Sequence, residues 1–282
     1  MKYGLEFDGV DDYVDLGLQL PGNGIFSIEF SFLDLSLSEG VRRWFTTTRE
    51  MFTSSTVVIR EQNGGIYLSV GGTSHLLARE WKGVIRHYAI VSDNSRIKLY
   101  EDGILIINIS GSPGTIEAAA YFGGGYESGG TLLEYAKGVF DEVRIWDIAR
   151  TQAEIQSNMS TSLVGSEPGL IAYYPIVTGS GSVLYDQAGN NDGTIYGATW
   201  KQYLVISGTV TGSNGEPAER IVRVYDRGTG EFIGSAVSDP TTGMYTIESN
   251  SATAEEINRI VFADDEAEGV VFNDIIDRII PE

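Results

Sequence analysis

Three aspartates, Asp8, Asp11 and Asp12, crowd one turn near the start of the chain, beside Gly9. Calcium takes about six to eight oxygen ligands from carboxylates, carbonyls and water, and a turn dense in aspartates supplies them at short range. The same side chains can instead accept backbone N–H groups within the turn, and the sequence leaves both readings open. A second Asx-rich loop, Asp186, Asn190 and Asp192, offers oxygens but lacks the downstream glutamate of an EF-hand. Glycan binding needs an aromatic surface with polar groups converging on it. Two places supply those residue types. One is the glycine loop around Tyr126 and Glu127; the other is Arg42, Arg43 and Trp44 with Arg49 nearby. At the second, Trp44 can equally cap the core edge while the arginines pair with carboxylates.

Catalytic constellations are missing. Glu29 has no acidic residue two positions on, and Asp141 and Glu142 are adjacent, so strand alternation sends them to opposite faces. There is no Gly-x-Ser-x-Gly elbow, and neither His75 nor His87 has a set of triad partners. His87 reads as a structural imidazole on a strand and His75 as an exposed loop residue. The expectation is a non-enzymatic protein.

These residues sit in a chain with 39 acidic and 19 basic side chains, a net charge of −20, and no cysteine. Disulfides, thiolate nucleophiles and cysteine zinc sites are therefore excluded. Binding to nucleic acid, which depends on clustered Lys and Arg, is not expected. Nor is membrane insertion: no apolar run approaches the ~20 residues of a spanning helix, and Met1 leads straight into a strand pattern without a signal segment.

The elements that must position these groups read as short β-strands separated by Gly, Asn, Asp and Ser. The alternation predicts strands at 3–7, 13–16, 26–32, 56–60, 66–70, 86–91, 96–100, 104–109, 139–146 and 170–174. Thr151 followed by Glu154 forms a capping box that starts one short helix, 152–159. Trp81, Trp146 and Trp200 read as packing residues. Near 200–202 a new series begins, with strands expected at 203–211, 220–225, 232–237, 244–248, 260–263 and 269–272 and a turn at Gly228-Thr229-Gly230.

Residues 1–200 resemble the laminin-G-like, concanavalin-A-like jelly-roll domains. The resemblance is carried by Leu5-Glu-Phe-Asp-Gly-Val-Asp-Asp-Tyr-Val14, Ser27-Ile-Glu-Phe-Ser-Phe32, Arg86-His-Tyr-Ala-Ile-Val91 and Gly138-Val-Phe-Asp-Glu-Val-Arg-Ile-Trp146, with Gly169-Leu-Ile-Ala-Tyr-Tyr-Pro175 closing the series. It implies that the strand carrying Asp141 runs near the first strand, so that Asp141 joins Asp8, Asp11 and Asp12 as a calcium ligand. Laminarinase-type hydrolases of this fold use a Glu-x-Asp-x-x-Glu run, which is absent here. Residues 201–282 resemble the transthyretin-like, carboxypeptidase-regulatory-like sandwiches that end many bacteriophage virion proteins. That resemblance rests on Ile206-Ser-Gly-Thr-Val210, Gly215-Glu-Pro-Ala-Glu-Arg220 and Ser238-Asp-Pro-Thr-Thr-Gly-Met-Tyr245.

The expectation is an all-β protein with a jelly-roll domain at 1–200 and a transthyretin-like domain at 201–282. It would act as a bacteriophage virion component of the tail or capsid surface, in assembly and host-surface adhesion. It would be assembled in the host cytoplasm as a homo-oligomer beside other virion proteins. The alternatives are a calcium-dependent adhesin binding host-surface glycans and an unrecognised glycoside hydrolase.

Overall fold

The computed structural model describes residues 2–35, 41–47, 57–62, 65–70, 73–77, 85–113, 119–124, 126–128, 131–212, 215–226, 232–249 and 259–264. The chain divides into two compact units, Gly4–Lys201 and Gln202–Glu282 with Met1–Tyr3. No helix among the described residues is long and apolar enough to cross a membrane.

The larger unit is a sandwich of two antiparallel sheets. The first runs in the order Ile104–Ser110, Arg96–Glu101, Ile85–Asp93, Ile25–Asp34, Lys137–Trp146 and Lys2–Asp8, with Leu170–Tyr174 also paired to Lys137–Trp146. The second has eight strands in the order Val183–Leu184, Gly193–Tyr196, Tyr13–Gln19, Ala119–Phe122, Val41–Thr46, Val57–Gln62, Gly65–Val70 and Thr73–Leu77. Period-two alternation explains why these segments form strands that bury one face. Phe26, Ile28, Phe30 and Phe32 point into the sandwich, and Val14, Leu16 and Leu18 meet them from the other sheet. Burying each such side chain stabilises the fold by roughly 1.5–3 kcal/mol. The rings pack mostly edge-on or tilted, as with Phe7 against Phe140 at 4.9 Å and 74°. Trp44 belongs to this cluster, 4.6 Å from Phe32 and 5.3 Å from Tyr88.

The helix Gln152–Asn158 covers the opposite face of the first sheet. Its capping box forms as the sequence predicts, with the Thr151 side chain accepting from the Glu154 N–H and the Glu154 side chain accepting from the Thr151 N–H. Ile155 is fully buried with Ala89, Val91 and Tyr100. The helix has no basic residue in its own last turn; cationic donors reach its C-terminal end from outside it. Arg144 donates to the carbonyls of Asn158 and Thr161, and Arg150 to the carbonyl of Glu154 and the side chain of Asn158. Guanidinium groups there bring positive charge to the C-terminal end of the helix and oppose the negative end of its dipole.

Those two arginines belong to a buried ionic cluster centred on Glu29, whose side chain has no solvent exposure. Arg150 lies 2.6 Å away, the His87 imidazole 3.3 Å and Arg144 3.8 Å. Arg144 also pairs with Glu142 at 3.0 Å, and Glu142 accepts the Tyr173 hydroxyl. This face is possible because of a bulge. Register slips between Asp141, opposite Ser31, and Arg144, opposite Glu29, with Glu142 at φ 52°. The extra residue turns Glu142 onto the side occupied by Asp141 and Arg144. The expectation that Asp141 and Glu142 face opposite ways is thereby overturned. His87 is the structural imidazole expected. His75 departs from its expected loop and lies half-buried on the edge strand Thr73–Leu77. Trp146 is buried and Trp200 partly so, while Trp81 lies outside the described residues.

In the smaller unit, Phe232–Val237, Ile221–Asp226 and Arg259–Asp264 form one sheet, and Thr199–Thr209 pairs with Met244–Ser249. Val222, Val224, Tyr245 and Ile247 form its core. The turn before Met244 is held by Asp239, which accepts the N–H groups of Thr241 and Thr242. The expected strand at 269–272 and the turn at 228–230 lie outside the described residues.

Candidate carbohydrate-binding face

Because Val14, Leu16 and Ile195 point into the core, their neighbours Tyr13, Asp15, Thr194 and Tyr196 emerge together on the outer face of the second sheet. The register sets Tyr196 opposite Tyr13 and Thr194 opposite Asp15. The two tyrosine rings stack with centroids 4.4 Å apart and planes within 12°. Tyr196 is 44% exposed, so the pair presents aromatic surface to solvent. Asp15 is half-buried and oriented by accepting the Gly17 N–H at 2.9 Å. Gly17 lies two residues further along this face, at φ 60°, and among the described residues nothing beyond its chain neighbours comes within 4 Å of where a side chain would start. The row through Asp15 continues across the sheet to Tyr121 and Thr46, but both of these are buried, so the exposed part of the face ends at Asp15. An aromatic surface flanked by a carboxylate and a hydroxyl fits one apolar face of a sugar ring together with its hydroxyl groups. Sequence inspection missed this site, although the alternation in Tyr13-Val14-Asp15-Leu16 was its visible half.

The aspartate turn adjoins it. Asp8, Asp11 and Asp12 place one carboxylate oxygen each within 4.8 Å of one another. Oxygens sharing one calcium ion lie within about twice the ~2.4 Å metal–oxygen distance, so this spacing fits such an ion. Burial pushes the Asp12 carboxyl above the usual aspartate range; the Asp8 N–H it accepts works against this, and the charges of Asp8 and Asp11 add to it. Gly197, at φ 77°, lets the Asp12 carboxylate approach closely, because a side chain there would collide with Oδ1. A cavity of about 280 Å³ beside the turn is lined by Glu6, Asp8, Asp12, Lys137 and Gly197 among others. Asp141 does not join this group. Register places Asp8 opposite Lys137, four residues from Asp141, or roughly 13 Å along the strand. Asp141 instead accepts the Glu142 N–H at the bulge.

The basic cluster is structural. Trp44 is 1% exposed, which removes it as a platform. Arg43 is equally buried and pairs with Glu134 at 2.5 Å. Arg42 donates to the carbonyls of Tyr135 and Gly9, tying the segment after the glycine loop to the aspartate turn. Tyr126 and Glu127 lie on the strand Tyr126–Ser128, paired with Thr131–Leu133; their side chains lie outside the described residues, as does Arg49. In the second Asx-rich loop, Asp186 accepts the N–H groups of Tyr173, Ala188 and Asn191, and Asp192 accepts that of Asp186. These carboxylates close the loop.

Residues 8–156 match the Laminin_G_3 family model, described as the concanavalin A-like lectin/glucanases superfamily. No curated protein matches the sequence. Among solved structures, a candidate carbohydrate binding protein from Bacteroides ovatus is similar at 17% identity with a TM-score of 0.59, over 72% of this chain and 60% of that one. The present chain thus spans three fifths of that protein, and the likeness establishes a common fold. The enzymatically active domain of bacteriophage CBA120 tailspike protein 2 gives 17% identity and a TM-score of 0.48, over 60% of this chain and 29% of that one. The CBM40 of Ruminococcus gnavus IT-sialidase, bound to α2,3 sialyllactose, gives 16% and 0.43, over 55% and 94%.

Proposed function

The chain belongs to the concanavalin A-like lectin/glucanases superfamily, and on that footing we propose that its jelly-roll unit is a non-catalytic carbohydrate-binding module. The observation that carries this reading is the solvent-facing Tyr13–Tyr196 stack with Asp15 and Thr194 in the next cross-strand row. The fold shared with the Bacteroides ovatus protein accords with it. A glycosidase needs two carboxyls about 5–10 Å apart flanking the bond to be cleaved. The exposed row on this face sets Asp15 beside the Thr194 hydroxyl instead, which supports binding without turnover. Screening the full chain against immobilised glycans tests the reading. Binding that Tyr196→Ala abolishes supports it, whereas turnover of β-glucan or capsular polysaccharide would favour a hydrolase.

Calcium dependence is a second part of the proposal, favoured by one placement: the aspartate turn ends at Asp12, and Tyr13 follows directly. An ion held by Asp8, Asp11 and Asp12 would fix the turn that leads into the platform, so chelation should weaken glycan binding. The wider role we propose is adhesion on a bacteriophage particle, as a homo-oligomer beside other virion proteins. It rests on the resemblance of residues 201–282 to the transthyretin-like sandwiches that end virion proteins. Mass spectrometry of purified particles of the phage encoding the chain tests that role; absence of the protein would refute it.

A further inference from the structure

We infer that the Tyr13–Tyr196 face accepts sugar units without negative charge and discriminates against carboxylated or sulfated ones. The inference rests on the carbohydrate reading of this face and goes on to name the ligand class. Its basis is the charge of the two cross-strand rows that a bound sugar would cover.

One row holds Tyr196 and Tyr13, and the next holds Thr194 and Asp15. Among these residues the single charge is the Asp15 carboxylate. A carboxylate only accepts hydrogen bonds, so it matches the O–H donors of a sugar and opposes another carboxylate or a sulfate. Asp15 is held in place by the Gly17 N–H, and the open space over Gly17 lets a ring settle beside it. Among the described residues, no guanidinium on this face is placed to compensate. Arg43 stands two strands away from Asp15, is 1% exposed and is joined to Glu134. Arg60 is on the strand beyond, registered opposite Arg43. A net charge of −20 adds long-range repulsion of anionic glycans.

The test uses the full chain, at fixed calcium, on an array printing neutral oligosaccharides beside their sialylated, uronic-acid and sulfated counterparts. The strongest pair is then titrated at low and high salt. The expected result is that the anionic partner binds at least about tenfold more weakly, a difference of ~1.4 kcal/mol. High salt should narrow the gap, because screening weakens repulsion between exposed charges. Asp15→Asn should narrow it at low salt, with thermal unfolding confirming that the variant folds. Equal or tighter binding of the anionic partner by the wild-type chain overturns the inference and leaves the carbohydrate reading standing, provided Tyr196→Ala still abolishes binding. Binding of neither series, or binding indifferent to Tyr196→Ala, overturns the reading of the face and the inference with it.

Discussion

Replacing Glu29 by alanine removes the carboxylate at the centre of the ionic cluster beneath the helix. Arg150, whose nearest ion-pair oxygen is Glu29 Oε1 at 2.6 Å, is then left with neutral acceptors on the helix and the face of Trp146, 4.1 Å away. Arg144 keeps Glu142. One buried guanidinium thus loses its carboxylate, and breaking a buried pair from one side costs about 3–5 kcal/mol. At roughly 2–4 °C per kcal/mol for a domain of this size, Tm should fall by about 6–20 °C. The pair as a whole is a weaker stabiliser than this figure suggests, since desolvating both ions offsets most of their attraction. The double variant Glu29→Leu with Arg150→Met should therefore recover much of the loss. A pH series adds a sign. Burial acts to raise the Glu29 carboxyl, but His87 beside it and then Arg150 outweigh burial and hold it below the usual glutamate range. Its contribution is present in full above that range and is lost as pH falls below about 4 toward the depressed value. The gap between wild type and Glu29→Gln should shrink accordingly. Thermal and chemical denaturation measure these variants together with Glu29→Leu and Arg150→Met alone. A Glu29→Ala cost under about 1 kcal/mol, or a double variant less stable than either single one, would refute the reasoning.

Thr151→Ala breaks the capping box and should cost about 1 kcal/mol in denaturant titration, while Gln156→Ala, a side chain that donates only to the Gly103 carbonyl, should cost less. Gly197→Ala places a methyl group against the Asp12 carboxylate at a left-handed backbone position, so a loss of about 1–3 kcal/mol is expected, visible as a lower Tm. Saturating calcium at about 100 times its dissociation constant should stabilise the chain by ~2.7 kcal/mol. Thermal-shift measurements should show that gain in wild type and not in Asp11→Asn; equal shifts in both would remove the aspartate turn as the site.

Much of the sandwich was legible because its strands alternate cleanly, as at Phe26-Ser-Ile-Glu-Phe-Ser-Phe32. The helix was legible from its cap. Val41–Thr46 was not, because a bulge between Arg43 and Phe45 breaks the alternation and sends both Trp44 and Phe45 into the core. The same mechanism hid the joint placement of Asp141 and Glu142, since a non-glycine residue at positive φ carries no sequence signature. The aspartate turn could be read locally, as turns can. The tyrosine platform could not: it joins Tyr13 to Tyr196, far apart in sequence, and only the pairing of Gly193–Tyr196 with Tyr13–Gln19 makes them neighbours. Composition suggested an aromatic and basic site at Trp44. Burial reassigned that cluster to holding the fold, and the exposed aromatic surface lies two strands away.

The central claim is that this face binds carbohydrate. It is tested most directly by two-dimensional NMR of the labelled chain titrated with the tightest glycan from the array. Shifts concentrated at Tyr13, Asp15, Thr194 and Tyr196, and lost in Tyr196→Ala, are the predicted result. Shifts centred on Arg43 and Glu134, or none at a saturating glycan concentration, would contradict it.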